Sequence, residues 1–172
     1  MRLILPSLKY KKAYLQALKE AEVEIGETKL NRPETNQTFE EFISMWRDHS
    51  KGKNLRKGAV SATMYWLIDT DEVIGRAHFR HTLNDFLLNY GGHIGYYIKP
   101  SKRRMGYGKK ILELALDKAK RMGISPILLT CDDTNIGSQK VIESCGGVLE
   151  NIVQESKDKP LKRRYWIKLL PN

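Results

Sequence analysis

Residues 92–121 constrain this chain more than any other stretch of it. A strand over 92–98 runs through His93, Ile94, Gly95, Tyr96, Tyr97 and Ile98, and Pro100 stops it. The segment Lys102-Arg103-Arg104-Met105-Gly106-Tyr107-Gly108-Lys109-Lys110 follows. A helix then runs from about 108 to 121, with Leu112, Ala115, Leu116 and Ala119 on one face and Gly123 closing it. Two glycines one residue apart let the main chain turn tightly and approach a ligand closely. The first N–H groups of a helix have no intrahelical acceptor, and they carry the positive end of its dipole. Strand, glycine turn and helix start therefore make a cradle suited to a pyrophosphate, and Arg103, Arg104, Lys109 and Lys110 add positive potential. The plainer alternative is a glycine turn with a solvated basic rim.

Two familiar phosphate loops fail on spacing. A Walker A loop needs glycine where Arg103 stands and Ser or Thr where Lys110 stands. A dinucleotide fingerprint needs a third glycine where Ile111 stands.

Around this unit the order of elements is mixed. A short strand over 2–5 precedes a helix over 8–25, with Ser7 as its cap and Leu8, Tyr14, Leu15, Leu18, Ala21 and Ile25 as its apolar stripe. After a loop over 26–36, Thr38 and Glu41 make a capping box for a second helix, whose stripe is Phe39, Phe42, Ile43 and Trp46. A hairpin joins strands over 63–68 and 73–79. Beyond the central helix come a strand over 127–131, a helix over 135–144 ending at Gly146-Gly147, and strands over 148–153 and 164–169. This is an α+β pattern in one domain over 1–172, with one βαβ-like unit in its second half.

The net charge of +10 makes a polyanion a plausible partner, whether nucleic acid, acidic membrane or phosphate-rich cofactor. No nucleic-acid fold signature accompanies it. No apolar run approaches the roughly 20 residues that span a bilayer, and no signal peptide opens the chain, so a cytoplasmic protein without membrane contact is expected. Cys131 and Cys145 read as reduced packing residues, and no His/Cys cluster has metal-ligand spacing.

The run Arg103-x-x-Gly106-x-Gly108, after a strand ending in Ile98, resembles the acetyl-CoA motif of the GNAT acetyltransferases. A second match is Asn135-Ile136-Gly137-Ser138, then Val141-Ile142-Glu143 and Gly146, similar to the Asn-x-x-Ser/Ala helix of that superfamily. The flavour is closest to the branch containing the ribosomal-protein N-terminal acetyltransferases. The resemblance implies a mixed, mostly antiparallel sheet with a splayed strand pair, flanked by helices on both faces. It also implies direct acetyl transfer from acetyl-CoA to a primary amine, on a small molecule or on a protein N-terminus or lysine, with no metal. Edge-strand homodimers are common in the family.

Carried over residue by residue, the resemblance puts Tyr97, Ile98 and Lys99 along the pantetheine, and Arg103, Arg104, Met105, Gly106, Tyr107, Gly108 and Lys109 around the pyrophosphate. Asn135 falls near the pantetheine, though a helix cap explains it equally. Ser138 falls near the sulfur as a proton donor to the leaving thiolate, or as a small residue allowing close approach. Many members carry a tyrosine acid four residues after the Ser138 position, and this chain has Ile142 there. The acid must then be Ser138, water or a tyrosine from elsewhere. His93 is the candidate general base, ahead of His78, His81 and Glu143. Trp46, Trp66, Trp166 and Phe86 are candidates to line an acceptor pocket, or else are core. Two other readings stay open: a CoA-binding module without chemistry, and a basic nucleic-acid-binding protein.

Overall fold

The computed structural model describes residues 1–25 and 30–169, with side chains left out at 23–25. The start of the loop expected over 26–36, and the side chain of Ile25 in the first stripe, lie outside the described residues. The strands are β1 (Arg2–Ile4), β2 (Ala62–Asp69), β3 (Glu72–Arg80), β4 (Ile94–Ile98), β5 (Ile127–Asp132), β6 (Val148–Val153) and β7 (Lys162–Ile167). The helices are α1 (Lys11–Ile25), α2 (Phe39–Ser50), α3 (Tyr107–Arg121) and α4 (Ile136–Ser144).

Two antiparallel sheets result, in the orders β1-β2-β3-β4 and β5-β7-β6. Side chains of β2 alternate between two cores, as the strand period of two requires. Met64, Trp66 and Ile68 face α1 and α2, while Leu67 faces α3. The Trp66 ring stacks on Tyr14 of α1 at 4.1 Å between centroids. On the other side Ile111, Leu112, Ala115, Leu116 and Ala119 of α3 pack on Ile74, Ala77, Phe79, Ile94 and Ile98. The expected α+β architecture, with helices on both faces of a mostly antiparallel sheet, is the one present.

Local signals placed α2 well. Thr38 Oγ1 accepts from Glu41 N at 3.2 Å, Glu41 Oε2 accepts from Thr38 N at 2.7 Å, and the four stripe residues are buried. They placed the face of α1 less well. Leu8 and Leu15 are 50% and 42% exposed, and the buried face is Tyr10, Tyr14, Ala17, Leu18 and Ala21. Leu8 lies in a 3₁₀ turn, Leu8–Tyr10, whose three-residue period puts it out of phase with the helix that follows. The last strand begins at Lys162 rather than 164, because Lys162 and Arg163 pair with Asp132 and Asp133 at 2.5 and 2.6 Å. A π-helical turn at Leu87–Gly91, not expected from the sequence, leads into β4.

Candidate active site

The expected βαβ-like unit is β4-α3-β5, and among the described residues its two strands are hydrogen-bonded to each other only at their starts. His93 N donates to Leu128 O at 2.7 Å, and Leu128 N donates to His93 Nδ1 at 3.0 Å. From there on β4 ladders only with β3 and β5 only with β7, so the two strands part. Their facing edges have no ladder bonds among the described residues. The open end of this gap leads to the glycine turn.

Six successive main-chain N–H groups there find no acceptor among the described residues: those of Arg104, Met105, Gly106, Tyr107, Gly108 and Lys109. The amides on either side are paired, Lys102 to Lys99 O, Arg103 to Pro100 O and Lys110 to Gly106 O. Left-handed backbone at Arg104 (φ 61°) and Gly106 (φ 81°) turns the chain into α3. Unpaired amides at a helix start form an anion site, and no group among the described residues uses them. Gly108 lets α3 lie against α4, since a Cβ there would come within 3.1 Å of Val141 Cγ2.

The other residues expected around the cofactor divide by direction. Ile98 faces the α3 core, and Tyr97 faces the α1 and α2 core. Arg103 folds back on the end of β4, with Nε donating to Ile98 O at 3.1 Å and a second nitrogen to Tyr97 Oη at 3.1 Å. Met105 stands exposed at the tip of the turn. Tyr107 Oη donates to Asp69 at 3.1 Å, fastening the start of α3 to the end of β2.

Lys99 is committed elsewhere. Its N–H donates to Ile74 O at 3.0 Å, and its buried ammonium pairs with Glu72 and with Glu20, the latter at 3.5 Å. Glu20 also accepts from Ser101 N at 2.6 Å, and Glu72 from Lys102 at 2.7 Å. Lys99 thereby ties α1 and β3 to the root of the turn. Burial pushes both carboxyl groups upward, but the Ser101 N–H on Glu20 and the lysines on both outweigh it, so both sit below the ordinary 4.5. A depressed folded pKa contributes stability above the unfolded value, lost as pH falls through the folded one. We expect Tm to fall more between pH 6 and 3.5 in the native protein than in Glu20→Gln/Glu72→Gln. Parallel pH curves from thermal melts would dismiss that linkage.

Across the gap Asn135 caps α4, its Oδ1 accepting from Ser138 N at 3.0 Å. Ser138 Oγ lies 3.0 Å from the Tyr96 hydroxyl. This contact bridges β4 and α4, and burial pushes Tyr96 up to about 12. Tyr96 is a tyrosine from elsewhere in the chain that the fold sets beside Ser138, and sequence reasoning did not single it out. Strand alternation sets it on the Ile98 face, but its meeting with a serine 42 positions away follows from how the sheets part. Ile142 is buried in the α3 core. Cys131 is buried and its thiol is pushed up to about 11, with burial the main cause, and Cys145 is raised for the same reason.

The candidate base His93 is buried at the closed end of the gap. Because Nδ1 accepts a main-chain N–H, the neutral ring carries its proton on Nε2 and its one lone pair is engaged. Burial also holds its pKa below the ordinary 6.5. Of the aromatic candidates, Trp66 is core. Trp166 is partly buried on β7. Trp46 and Phe86 line a cavity of about 500 Å³ beside α2. Among the described residues no group of three His, Cys, Asp or Glu side chains is arranged to hold a metal ion, and no helix is long and apolar enough to cross a membrane.

Comparison with known proteins agrees with this geometry. A family model described as an acetyltransferase (GNAT) domain matches residues 2–148. The uncharacterized N-acetyltransferase YjdG of Bacillus subtilis is 31% identical over 139 residues, spanning 77% of this chain and 73% of its own length. By fold the chain is similar to RimL, a ribosomal L7/L12 alpha-N-protein acetyltransferase solved with coenzyme A. The TM-score is 0.68 at 19% identity, covering 97% of this chain and 93% of that one. It is also similar to MccE, the microcin C7 self-immunity acetyltransferase solved with acetyl-CoA and AMP. There the TM-score is 0.67 at 16% identity, covering 97% and 91%.

Proposed function

The chain belongs to the GNAT acetyltransferase family and is an acetyl-CoA-dependent N-acetyltransferase, and from that premise we propose how its own residues serve the transfer. One domain over 1–172, in the cytoplasm, holds acetyl-CoA and a primary amine together. The observation that carries this reading is the row of six unpaired amides at the open end of the β4–β5 gap. These amides and the dipole of α3 hold the diphosphate, with Arg104 and Lys109 adding charge. Arg103 and Lys99 hold the shape of the turn. The edge of β4 turned away from β3, at Tyr97 and Ile98, faces the pantetheine, and Asn135 keeps the start of α4 beside it.

Acetyl-CoA supplies an activated acetyl group: the amine nitrogen bonds to the carbonyl carbon, the carbon–sulfur bond breaks, and the sulfur leaves needing a proton. Tyr96 and Ser138 are placed to give that proton. A phenol raised to about 12 stays protonated at neutral pH, and Ser138 can relay to it or from it. His93 holds the two strands together at the closed end, and the amine loses its proton to water. Two copies pairing along the outer edge of β6, where Val148, Leu149 and Ile152 are exposed, belong to the same reading.

Thiol release from acetyl-CoA is expected with at least one class among peptides, polyamines, aminoglycosides and amino acids. Stabilisation by CoA without release from any of them would overturn the reading in favour of a binding module. Tyr96→Phe keeps the ring and removes the proton. It should lower kcat by roughly 10- to 100-fold while the KM for acetyl-CoA stays put. An unchanged kcat would remove Tyr96 from the mechanism.

A further inference from the structure

The cavity beside α2 lies between that helix, residues 54–62 and the end of β3. Its wall collects polar atoms that the protein leaves unused. Trp46 Nε1, His78 Nε2 and Asn31 Oδ1 are all buried, and none has a hydrogen-bond partner among the described residues. Buried polar atoms in native proteins nearly always have partners, so three orphans on one cavity wall point to a ligand that supplies them.

The charge on that wall is one-sided. Arg32, Arg56 and Arg80 line it with one carboxylate, Glu34; Arg56 engages that carboxylate at 2.8 Å and Arg32 pairs with Glu22 at 3.2 Å, which leaves Arg80. Arg80 is mostly buried and donates to two main-chain carbonyls, Gly91 O at 3.2 Å and Gly92 O at 2.9 Å. It has no carboxylate partner among the described residues. A buried cation met only by carbonyls is a strong attractor for an anion. His78 adds a free nitrogen without charge, its pKa pushed down to about 3 by burial and then by Arg80 and Arg76. Trp46 inside and the exposed Phe86 ring at the mouth supply flat apolar surface.

The cavity also borders the strand next to β4. His78 sits opposite Gly95 in the β3–β4 ladder on the α2 face, and the next residue, Tyr96, points to the other face of the sheet, where it reaches Ser138. A Cβ on Gly95 would meet no atom within 4 Å, so the β4 main chain is uncovered there.

We propose that this cavity is the acceptor site and that it selects a primary amine carrying an anionic group, carboxylate or phosphate, beside a flat apolar portion. The anion pairs with Arg80 and takes the Trp46 N–H, and the amine end passes over Gly95 toward the thioester. This assignment rests on the acetyltransferase reading above.

The test is the ratio of kcat/KM within matched pairs, which does not depend on the active fraction of a sample. O-phosphoethanolamine is set against ethanolamine, and phenylalanine against phenylalaninamide. The anionic member of at least one pair should be preferred by roughly tenfold or more, and which pair responds distinguishes phosphate from carboxylate. Arg80→Gln should bring that ratio close to one. Trp46→Phe, which keeps the ring and removes the donor, should lower the ratio without erasing it. The thermal shift with CoA is read on the same samples. Its absence would refute the acetyltransferase reading itself. Its presence together with equal or reversed preference in both pairs, or an Arg80→Gln ratio equal to the native one, would overturn the acceptor assignment alone.

Discussion

Gly106→Val is expected to lose binding of CoA by a factor of about 10² or more, while the fold persists. Gly106 sits at φ 81°, a left-handed conformation that costs an L-residue about 1–2 kcal/mol and a β-branched one more. A Cβ at this position would meet no protein atom within 4 Å. The protein therefore has no clash to relieve, and its loss in stability should be the backbone cost alone, about 2–8 °C of Tm or slightly more, at roughly 2–4 °C per kcal/mol for a chain of this size. The cost falls on the ligand. To leave positive φ the turn must rotate its peptides, and the N–H groups of residues 104–109 then cease to converge. Hydrogen bonds to a charged group contribute about 1.5–3 kcal/mol each, so losing two of them is worth about 3–6 kcal/mol, or two to four decades in Kd. Calorimetric titration with CoA beside a melt of the free protein separates the two effects. A valine variant that binds CoA as the native protein does would mean that the diphosphate lies elsewhere.

Gly75→Ala is expected to have the largest effect on stability, about 3 kcal/mol or more, lowering Tm by roughly 6–12 °C. Gly75 pairs with Ile98 across the β3–β4 ladder. A Cβ on it would lie 2.2 Å from Tyr97 O, 2.9 Å from Ile98 Cδ1 and 3.2 Å from Ile98 Cα. Main-chain atoms cannot rotate away as a flexible side chain can, so the strands must separate. That separation strains the neighbouring Lys99 N–H bond to Ile74 O and moves the end of β4 from which the cofactor turn springs. Weaker CoA binding should therefore accompany the loss in stability. Gly95→Ala supplies the contrast, because its added methyl meets nothing within 4 Å, and its denaturation midpoint should match the native one. Chemical denaturation of the three proteins decides the matter. Equal midpoints for Gly75→Ala and the native chain would refute the close approach of β3 to β4 on which this rests.

Much of the architecture was legible in the residues because its causes are local. The Thr38–Glu41 box, the stripe of α2, the hairpin of β2 and β3 and the apolar face of α3 each depend on neighbours a few positions away, and each stands as expected. The glycine turn belongs with them. Its amides are unpaired because a helix begins there, which is a property of one short segment. What the tertiary structure decided concerns groups far apart in sequence. Leu8 and Leu15 turned outward because a 3₁₀ turn changed the phase and Trp66 chose Tyr14 as its partner. His93, read as a base, had its lone pair taken by an amide from the strand across the gap. Tyr96 met Ser138 only where the two sheets part at β4 and β5, and Arg80 and His78 joined Trp46 around one cavity only once α2 lay beside β3. Periodicity tells a strand which side is buried. It carries no information about which distant side chain waits on that side.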